Sequence, residues 1–515
     1  MNSKTYNCKL HIGLLLLVTM CIGCTGNFDE INRNKDQVTK GEMERENYIV
    51  GSTLKGLQAL ESPVKEHLFQ FTESLMGNSY AGYMEATPTW KEKFSTYNPP
   101  SNWLAAPFKD ILTETYPLYR DIHNKTDNEV ALALADVLRI AIMHRLTDCF
   151  GPIPYSEVRM DSDSLKVAYD SQEAVYDKMF EELDAATAVL KANTGLDDSA
   201  FAKFDNVYGG NIARWVKFCN SLKLRMAMRL SYVKPQTAQA KAEEAVVGGV
   251  IETNADNAAL SVEENRAALI YNNWKDHRVG ADIISYMNGY KDPRREAMFT
   301  KADGGFYGMR IGIDPVDRDL MILSYSNIVI SDKDPYPWMN AAEVTFLRAE
   351  GALRGWAMQG DAKTLYNEAI KLSFEQRGVT GAESYIADET SAPAAYTDPL
   401  MEYSVNTPRS NITIKWDDEP TAYEKNLERI ITQKWIAIFP QGVEAWAEFR
   451  RTGYPRLLPV VQNKSGNTIN TEVMIRRLPY PVDEYLENGA NLQAAIQMLG
   501  GPDNGGTRLW WDARN

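Results

Sequence analysis

Residues 129–146 read EVALALADVLRIAIMHRL, and this stretch decides the fold class. Val130, Leu134, Val137, Leu138, Ala141, Ile142 and Leu146 recur at the three-to-four spacing of one helix face. Thr126-x-x-Glu129 supplies a capping box ahead of the run, and Gly151-Pro152 closes it. The same pattern recurs outward along the chain. Gln172 to Leu190 starts after Asp170, and Ile212 to Tyr232 ends before Pro235. Ala341 to Met358 and Ala362 to Arg377 are separated by Gly360-Asp361, a break followed by an N-cap. Tyr423 to Phe439 follows a second capping box, Thr421-x-x-Glu424. Strand signals are few, the best being Leu320 to Ser331 and Asn411 to Trp416. The expected class is therefore all-α. Tetratricopeptide-like helix pairs with degenerate repeats form one large body over residues 41–515, with a few short strands. Irregular excursions near 77–108, 254–340 and 380–420 interrupt the helices. Loops of that length on a rigid frame are where ligand contacts gather.

The remaining composition narrows the function. A chain of 515 residues can bury a large core without disulfides or a structural metal. Its 55 Lys+Arg against 69 Asp+Glu leave a net charge of −14, which argues against nucleic acid as a partner. The five His form no HExxH, and no GxSxG, P-loop or GxGxxG is present. Asp161-Ser-Asp163 and Asp332-Lys-Asp334 lack the spacing of a calcium loop. No cofactor, metal or catalytic residue is expected. Carboxylate pairs able to hydrolyse glycosides are easily found in so acidic a chain, so a surface glycoside-processing enzyme stays as an alternative.

The N-terminus reads as an address. Lys4 and Lys9 precede the apolar run 13–21, GLLLLVTMC, which is too short to span a membrane and fits a secretion signal. Ile22-Gly23-Cys24 resembles a bacterial lipobox, with Cys21 departing from the usual Leu. Residues 1–23 are then a lipoprotein signal peptide, Cys24 is lipidated, and 24–40 form a polar tether. More than one acyl chain on Cys24 anchors the protein to a membrane without spanning it. Loss of Lys4 and Lys9 takes the charge balance to 53 − 69 = −16. Cys149 and Cys219 lie in apolar helical patterns and read as inert buried thiols.

Several segments in order then resemble the SusD/RagB family of outer-membrane nutrient-binding lipoproteins, in its second SusD-like branch. Cys24 to Asn34 resembles the lipid site and tether, although Lys35 stands where a Pro is usual. Leu146 to Val158 (LTDCFGPIPYSEV), Tyr169 to Ala185, and Trp215 to Leu230 with its Asn-Ser-Leu and Arg-x-x-x-Arg follow. Asp292-Pro293-Arg294, Ala342 to Gly355 (AEVTFLRAEGALRG) and Ile430 to Pro455 come next. The chain closes with Arg477 to Glu484 (RLPYPVDE), Asn488, Asn491 and Leu509 to Asp512. The resemblance implies a lipid-anchored protein on the outer face of a Gram-negative outer membrane. There it lies as a lid over a SusC-like TonB-dependent barrel and hands over a bound glycan or peptide, without enzymatic activity.

A sugar ring has an apolar C–H face and a hydroxyl rim, so it needs an aromatic platform beside polar groups. Residues 78–97 offer Asn78, Tyr80, Tyr83, Trp90 and Tyr97. Residues 271–310 offer Tyr271, Asn272, Asn273, Trp274, Arg278, Tyr307 and Arg310. The expected ligand contacts are Tyr80, Tyr83, Trp90, Asn273, Trp274 and Tyr307, with an oligosaccharide as ligand. An oligopeptide is the nearest alternative, and would need backbone hydrogen bonds along a groove. Trp103 and Trp338 read as packing residues. Arg450, Arg451 and Trp446 read as parts of helix packing, and Trp510-Trp511-Asp512 as a lock on the C-terminus.

Overall fold

The computed structural model describes residues 48–195 and 199–514. Cys24, the signal peptide and the tether lie outside the described residues.

Helix α1 spans Tyr48–Glu61. A continuous helical run over 66–80, labelled α2, joins Glu66–Phe69, the π-helical Gln70–Gly77 and Asn78–Tyr80. There follow α3 (Ile111–Lys125), α4 (Glu129–Phe150), α5 (Gln172–Ala192), α6 (Ile212–Arg229) and α7 (Pro235–Gly248). The second half adds α8 (Ala341–Leu353), α9 (Ala362–Gln376), α10 (Tyr423–Ala437) and α11 (Gly442–Thr452). Consecutive helices pack in pairs, α4 on α5, α6 on α7 and α8 on α9. The pairs are joined through α5 on α6 and α8 on α10. Short connections make α6–α7 and α8–α9 hairpins, whereas the longer segment 151–171 joins α4 to α5. This is the all-α, tetratricopeptide-like architecture that the periodicity anticipates.

The helix ends follow the sequence less closely. α4 is capped by Asn128, whose Oδ1 accepts from the amides of Val130 and Ala131 at 3.0 Å each. Thr126 serves one step earlier, its hydroxyl accepting from the Asn128 amide. α4 ends at Gly151, which has φ 89° and faces Leu499 so closely that an added Cβ would sit 2.9 Å from it. Asp361 caps α9 through the Thr364 amide, as expected. The second capping box is absent: α10 starts from Ala422 with no side-chain cap, and Glu424 instead accepts from the Tyr454 hydroxyl at 2.6 Å.

Both expected strands are corrected. Arg318–Ser324 is a helix because Asp317 caps it at the Leu320 amide, and 411–416 is irregular. The strands are β1 (Met84–Ala86), β2 (Ala258–Leu260), β3 (His277–Val279) and β4 (Tyr336–Met339). They form two antiparallel ribbons, β1 with β3 and β2 with β4.

The helices are joined inside by a charge cage. Arg229 of α6 reaches Asp148 at 3.0 Å and Glu444 at 2.6 Å, and also pairs with Glu448. Arg451 bridges Glu350 of α8 and Glu448 of α11 at 2.6 and 2.7 Å. Lys434 of α10 lies 3.0 Å from Glu448, and Arg225 binds Glu343 at 2.8 Å. All of these side chains are buried. Burial alone would raise the Glu444 carboxyl, but Arg229, Arg225 and Lys434 outweigh it and bring it down to about 2. The cage explains the Arg-x-x-x-Arg of α6: Arg225 and Arg229 project from the same helix face, one turn apart. The C-terminus is locked beside it. The Trp511 indole donates to Asp148 at 2.8 Å, and Asp512 accepts from Arg476 at 2.6 and 2.7 Å. Cys149 and Cys219 are free and buried, and burial pushes both thiols up to about 12.

Candidate functional site

The first and middle excursions are distant in sequence and are brought together by the β1–β3 ribbon. Its register pairs Met84 with Val279, Glu85 with Arg278 and Ala86 with His277. The pairing continues past the strands, where the Thr87 amide donates to the Asp276 carbonyl at 2.9 Å and its hydroxyl to the Lys275 carbonyl at 2.6 Å. Glu85 fixes the ribbon from below. Its buried carboxylate accepts from Lys93 at 2.9 Å, Ser95 at 2.8 Å and the Gly312 amide at 2.8 Å. A buried carboxylate is tolerated there because every near donor is aimed at it.

On this base five aromatic rings form a surface strip. His67 and Phe71 stand one turn apart on α2, so they share a face. Trp274 stacks on His67 with ring centroids 6.0 Å apart and planes 30° apart. On the other side, Phe71 meets Trp103 at 5.0 Å, and Trp103 meets Trp90 edge-on at 5.3 Å. His67 is exposed, and Phe71, Trp90, Trp103 and Trp274 are half-buried. Each ring is braced by a neighbour and still offers area to solvent, which is the form a stacking platform needs.

Polar groups border the strip at Trp274. Asp276 accepts from Gln70 at 2.9 Å and from Arg318 at 3.0 Å. Arg318 also donates to the Trp274 carbonyl, which pins the backbone under the indole. Burial pushes the Asp276 carboxyl up, and Arg318 and Gln70 work against it. Lys275 turns the chain after Trp274 in the left-handed region at φ 56°. Asn273 is exposed beside Trp274, while Asn272 is tied to the Ile330 carbonyl at 2.9 Å.

The expected contacts divide. Trp90, Asn273 and Trp274 lie at the strip. Tyr80 and Tyr83 lie in the core, which corrects their reading as ligand contacts. Tyr80 is 2% exposed and packs on Trp446 at 4.9 Å. Tyr83 is 0% exposed, stacks on Trp435 at 5.3 Å and donates its hydroxyl to the Trp435 carbonyl. Tyr97 and Tyr271 are buried as well, and Asn78 donates to the Tyr271 hydroxyl at 3.2 Å. Tyr307 is half-buried in a separate small cluster with Met309, Ile313, Met321 and Tyr325. Arg278 and Arg310 donate to backbone carbonyls. Sequence reading missed His67 and Phe71 and gave Trp103 to packing alone. The one signal for the first two is their i,i+4 spacing on α2, which becomes meaningful only when Trp274 and Trp103 are seen on either side.

A cavity of about 530 Å³ lies elsewhere on the middle excursion, lined by Phe69, Tyr271, Tyr336, Asn340, Arg377 and Gln441. Gln441 is 5% exposed, and among the described residues neither polar atom of its side-chain amide has a hydrogen-bond partner. Burial holds His144 down at about 4 and His277 at about 3, so both imidazoles are neutral at pH 7. Among the described residues no group of three His, Cys, Asp or Glu side chains is placed to hold a metal ion, and no helix is long and apolar enough to cross a membrane.

A frame of paired helices with a built aromatic strip on its loops defines a ligand-binding scaffold. The family model described as SusD-like, "Susd and RagB outer membrane lipoprotein", matches residues 30–512. The chain belongs to this family of outer-membrane lipoproteins. A SusD homologue from Bacteroides thetaiotaomicron is 54% identical, with a TM-score of 0.88 and coverage of 90% of this chain and 99% of that one. A homologue from Bacteroides ovatus is 40% identical, with a TM-score of 0.86 and coverage of 91% and 99%. A chitin-binding SusD homologue from Flavobacterium johnsoniae is 40% identical, with a TM-score of 0.85 and coverage of 90% and 99%. Among curated proteins none matches the chain. Family and fold together make this a SusD-like outer-membrane lipoprotein.

Proposed function

We propose that this protein captures an oligosaccharide at the cell surface and delivers it to a SusC-like TonB-dependent barrel in the outer membrane. Residues 1–23 direct export, Cys24 carries the lipid that holds the protein to the outer membrane, and residues 41–515 form the binding body facing the exterior. The observation that carries the reading is the strip Trp274–His67–Phe71–Trp103–Trp90, built where two excursions are zipped together. Sugar rings stack on such a strip while Asn273 and Arg318 meet their hydroxyls. Trp90, Asn273 and Trp274 are the contacts of this reading, and Tyr307 borders a different part of the loops. The chitin-binding relative makes N-acetylglucosamine oligomers the first ligands to try. The protein passes its ligand on without altering it.

Calorimetric titration with a panel of oligosaccharides tests the capture step. Saturable binding of at least one supports it. Silence across the panel, or release of cleaved products, contradicts it. Delivery is tested by purification from outer membranes, where a large β-barrel should accompany the protein and where its absence contradicts the pairing. An oligopeptide ligand remains the second reading. The Gln441 cavity favours it, since an unpartnered buried amide matches a peptide group.

A further inference from the structure

A cleft of about 680 Å³ opens beside the end of α11, between the 405–409 loop and the 472–476 segment. Arg409, Arg450, Arg456, Arg476, Arg508 and Arg514 line it, with Glu472 as the lining acid. A chain of net charge −14 has no compositional reason to gather six arginines in one concavity. The cleft shares no lining residue with the aromatic strip.

The arginines outnumber their partners. Arg409 reaches Glu472 at 2.9 Å, Arg456 lies 3.6 Å from Glu428, and Arg514 pairs with Glu424. Arg476 and Arg508 share one carboxylate, Asp512, at 2.6 and 2.9 Å. Among the described residues, Arg450 is ion-paired with no carboxylate. Its guanidinium lies 3.5 Å over the Trp446 ring and donates to the carbonyls of Asp148 and Arg476. Arg450 is 1% exposed, and among the described residues its Nη2 has no hydrogen-bond partner. Among the described residues, six guanidiniums therefore meet four carboxylates. Burial holds the Arg450 guanidinium down at about 9, with Asp148 and Asp512 working against it.

The cleft is also open to a ligand. The Arg409, Arg456 and Arg508 side chains are 41%, 53% and 45% exposed. Ion pairs at that exposure contribute little, so a ligand can take over a guanidinium at small cost. Planar guanidinium forks match the paired oxygens of a carboxylate or a sulfate ester. Phe449, Leu457 and Met474 add apolar wall for a ring face.

We propose that this cleft is a second ligand site, which takes an acidic sugar through its carboxylate or sulfate ester. The proposal stands apart from the aromatic strip and does not depend on what binds there.

The test is calorimetric titration of the full chain with an oligogalacturonide, a sulfated chondroitin disaccharide, inorganic sulfate and a neutral N-acetylglucosamine trimer. Two variants are compared with wild type: the double Arg456→Gln, Arg508→Gln, and the single Arg409→Gln on the exposed loop. At least one acidic sugar should bind, more weakly as salt rises. Its affinity should fall at least tenfold in the double variant and severalfold in the single, with the response to the neutral trimer unchanged in both. Absence of binding at millimolar acidic sugar, equal affinity in both variants, or inorganic sulfate binding as tightly as the sugars would overturn the site. Loss of co-purification with the barrel while acidic-sugar binding stays intact would also overturn it, and would assign the cleft to a protein partner.

Discussion

The charge cage and the aromatic strip use much the same residue types to opposite ends. In the cage, Arg229, Arg451 and Lys434 are buried and face Asp148, Glu350, Glu444 and Glu448 from α4, α6, α8, α10 and α11. Trp446 and Trp511 are fully buried alongside, each donating its indole N–H to one fixed acceptor. In the strip, Trp90 and Trp274 are braced by one ring each and remain half-exposed. Arg318, 43% exposed, holds a carboxylate and a carbonyl at the surface. The difference teaches that partner number separates scaffold from site here. A guanidinium or indole with every atom satisfied holds helices together, and one with a free face is available to a ligand.

The largest effect should come from the cage. Arg229→Met removes one cation from three buried carboxylates, and breaking a buried pair from one side costs about 3–5 kcal/mol. Urea unfolding should show a loss of that size. A loss under about 1 kcal/mol would mean the cage does not hold the frame and would dissolve the contrast with the strip.

Acid should act on the frame in the same sense. Glu444 sits at about 2, below its ordinary 4.5, and Glu448 and Glu350 are also lowered. A depressed carboxylate contributes stability that is complete above the unfolded value and is lost as pH falls through the folded one. Thermal melts should therefore hold steady above about pH 5 and decline from about pH 4.5 towards pH 2. A melting temperature flat across that window would contradict the assignment.

The strip should respond the other way round. Trp274→Ala should weaken oligosaccharide binding by about 1–3 kcal/mol, the range of stacking and hot-spot losses. Its melting temperature should move little, because Trp274 is half-buried at the end of the short π-helical segment Leu269–Trp274. Unchanged affinity with a large stability loss would make Trp274 part of the scaffold. The smallest effect is expected at a helix end that contributes no residue to either region. Asp361→Ala removes the cap on α9 and should cost about 1 kcal/mol of stability, with no change in binding. A binding change there would show that the frame and the loops are coupled.

The frame was largely legible in the sequence, because a helix face of Val130, Leu134, Val137 and Leu138 is a local signal with a fixed period. The cap at Asn128 and the helix at Arg318–Ser324 were misread, since competing side chains two residues apart decide such starts. The site was half legible. Trp90, Asn273 and Trp274 sit at the strip, but Tyr80 and Tyr83 lie under it in the core. An aromatic loop composition cannot say which rings face inward. That depends on the β1–β3 register, which pairs residue 84 with 279 and has no local mark. His67 and Phe71 were missed for the same reason, their role being set by partners far along the chain.

The most direct measurement is an experimental structure of the protein with a bound oligosaccharide that calorimetry has identified. The account predicts a sugar ring against Trp274 or Trp90, with its hydroxyls reaching Asn273 or Arg318. Sugar density in the cavity beside Gln441, with the indoles of Trp90 and Trp274 bare, would contradict it.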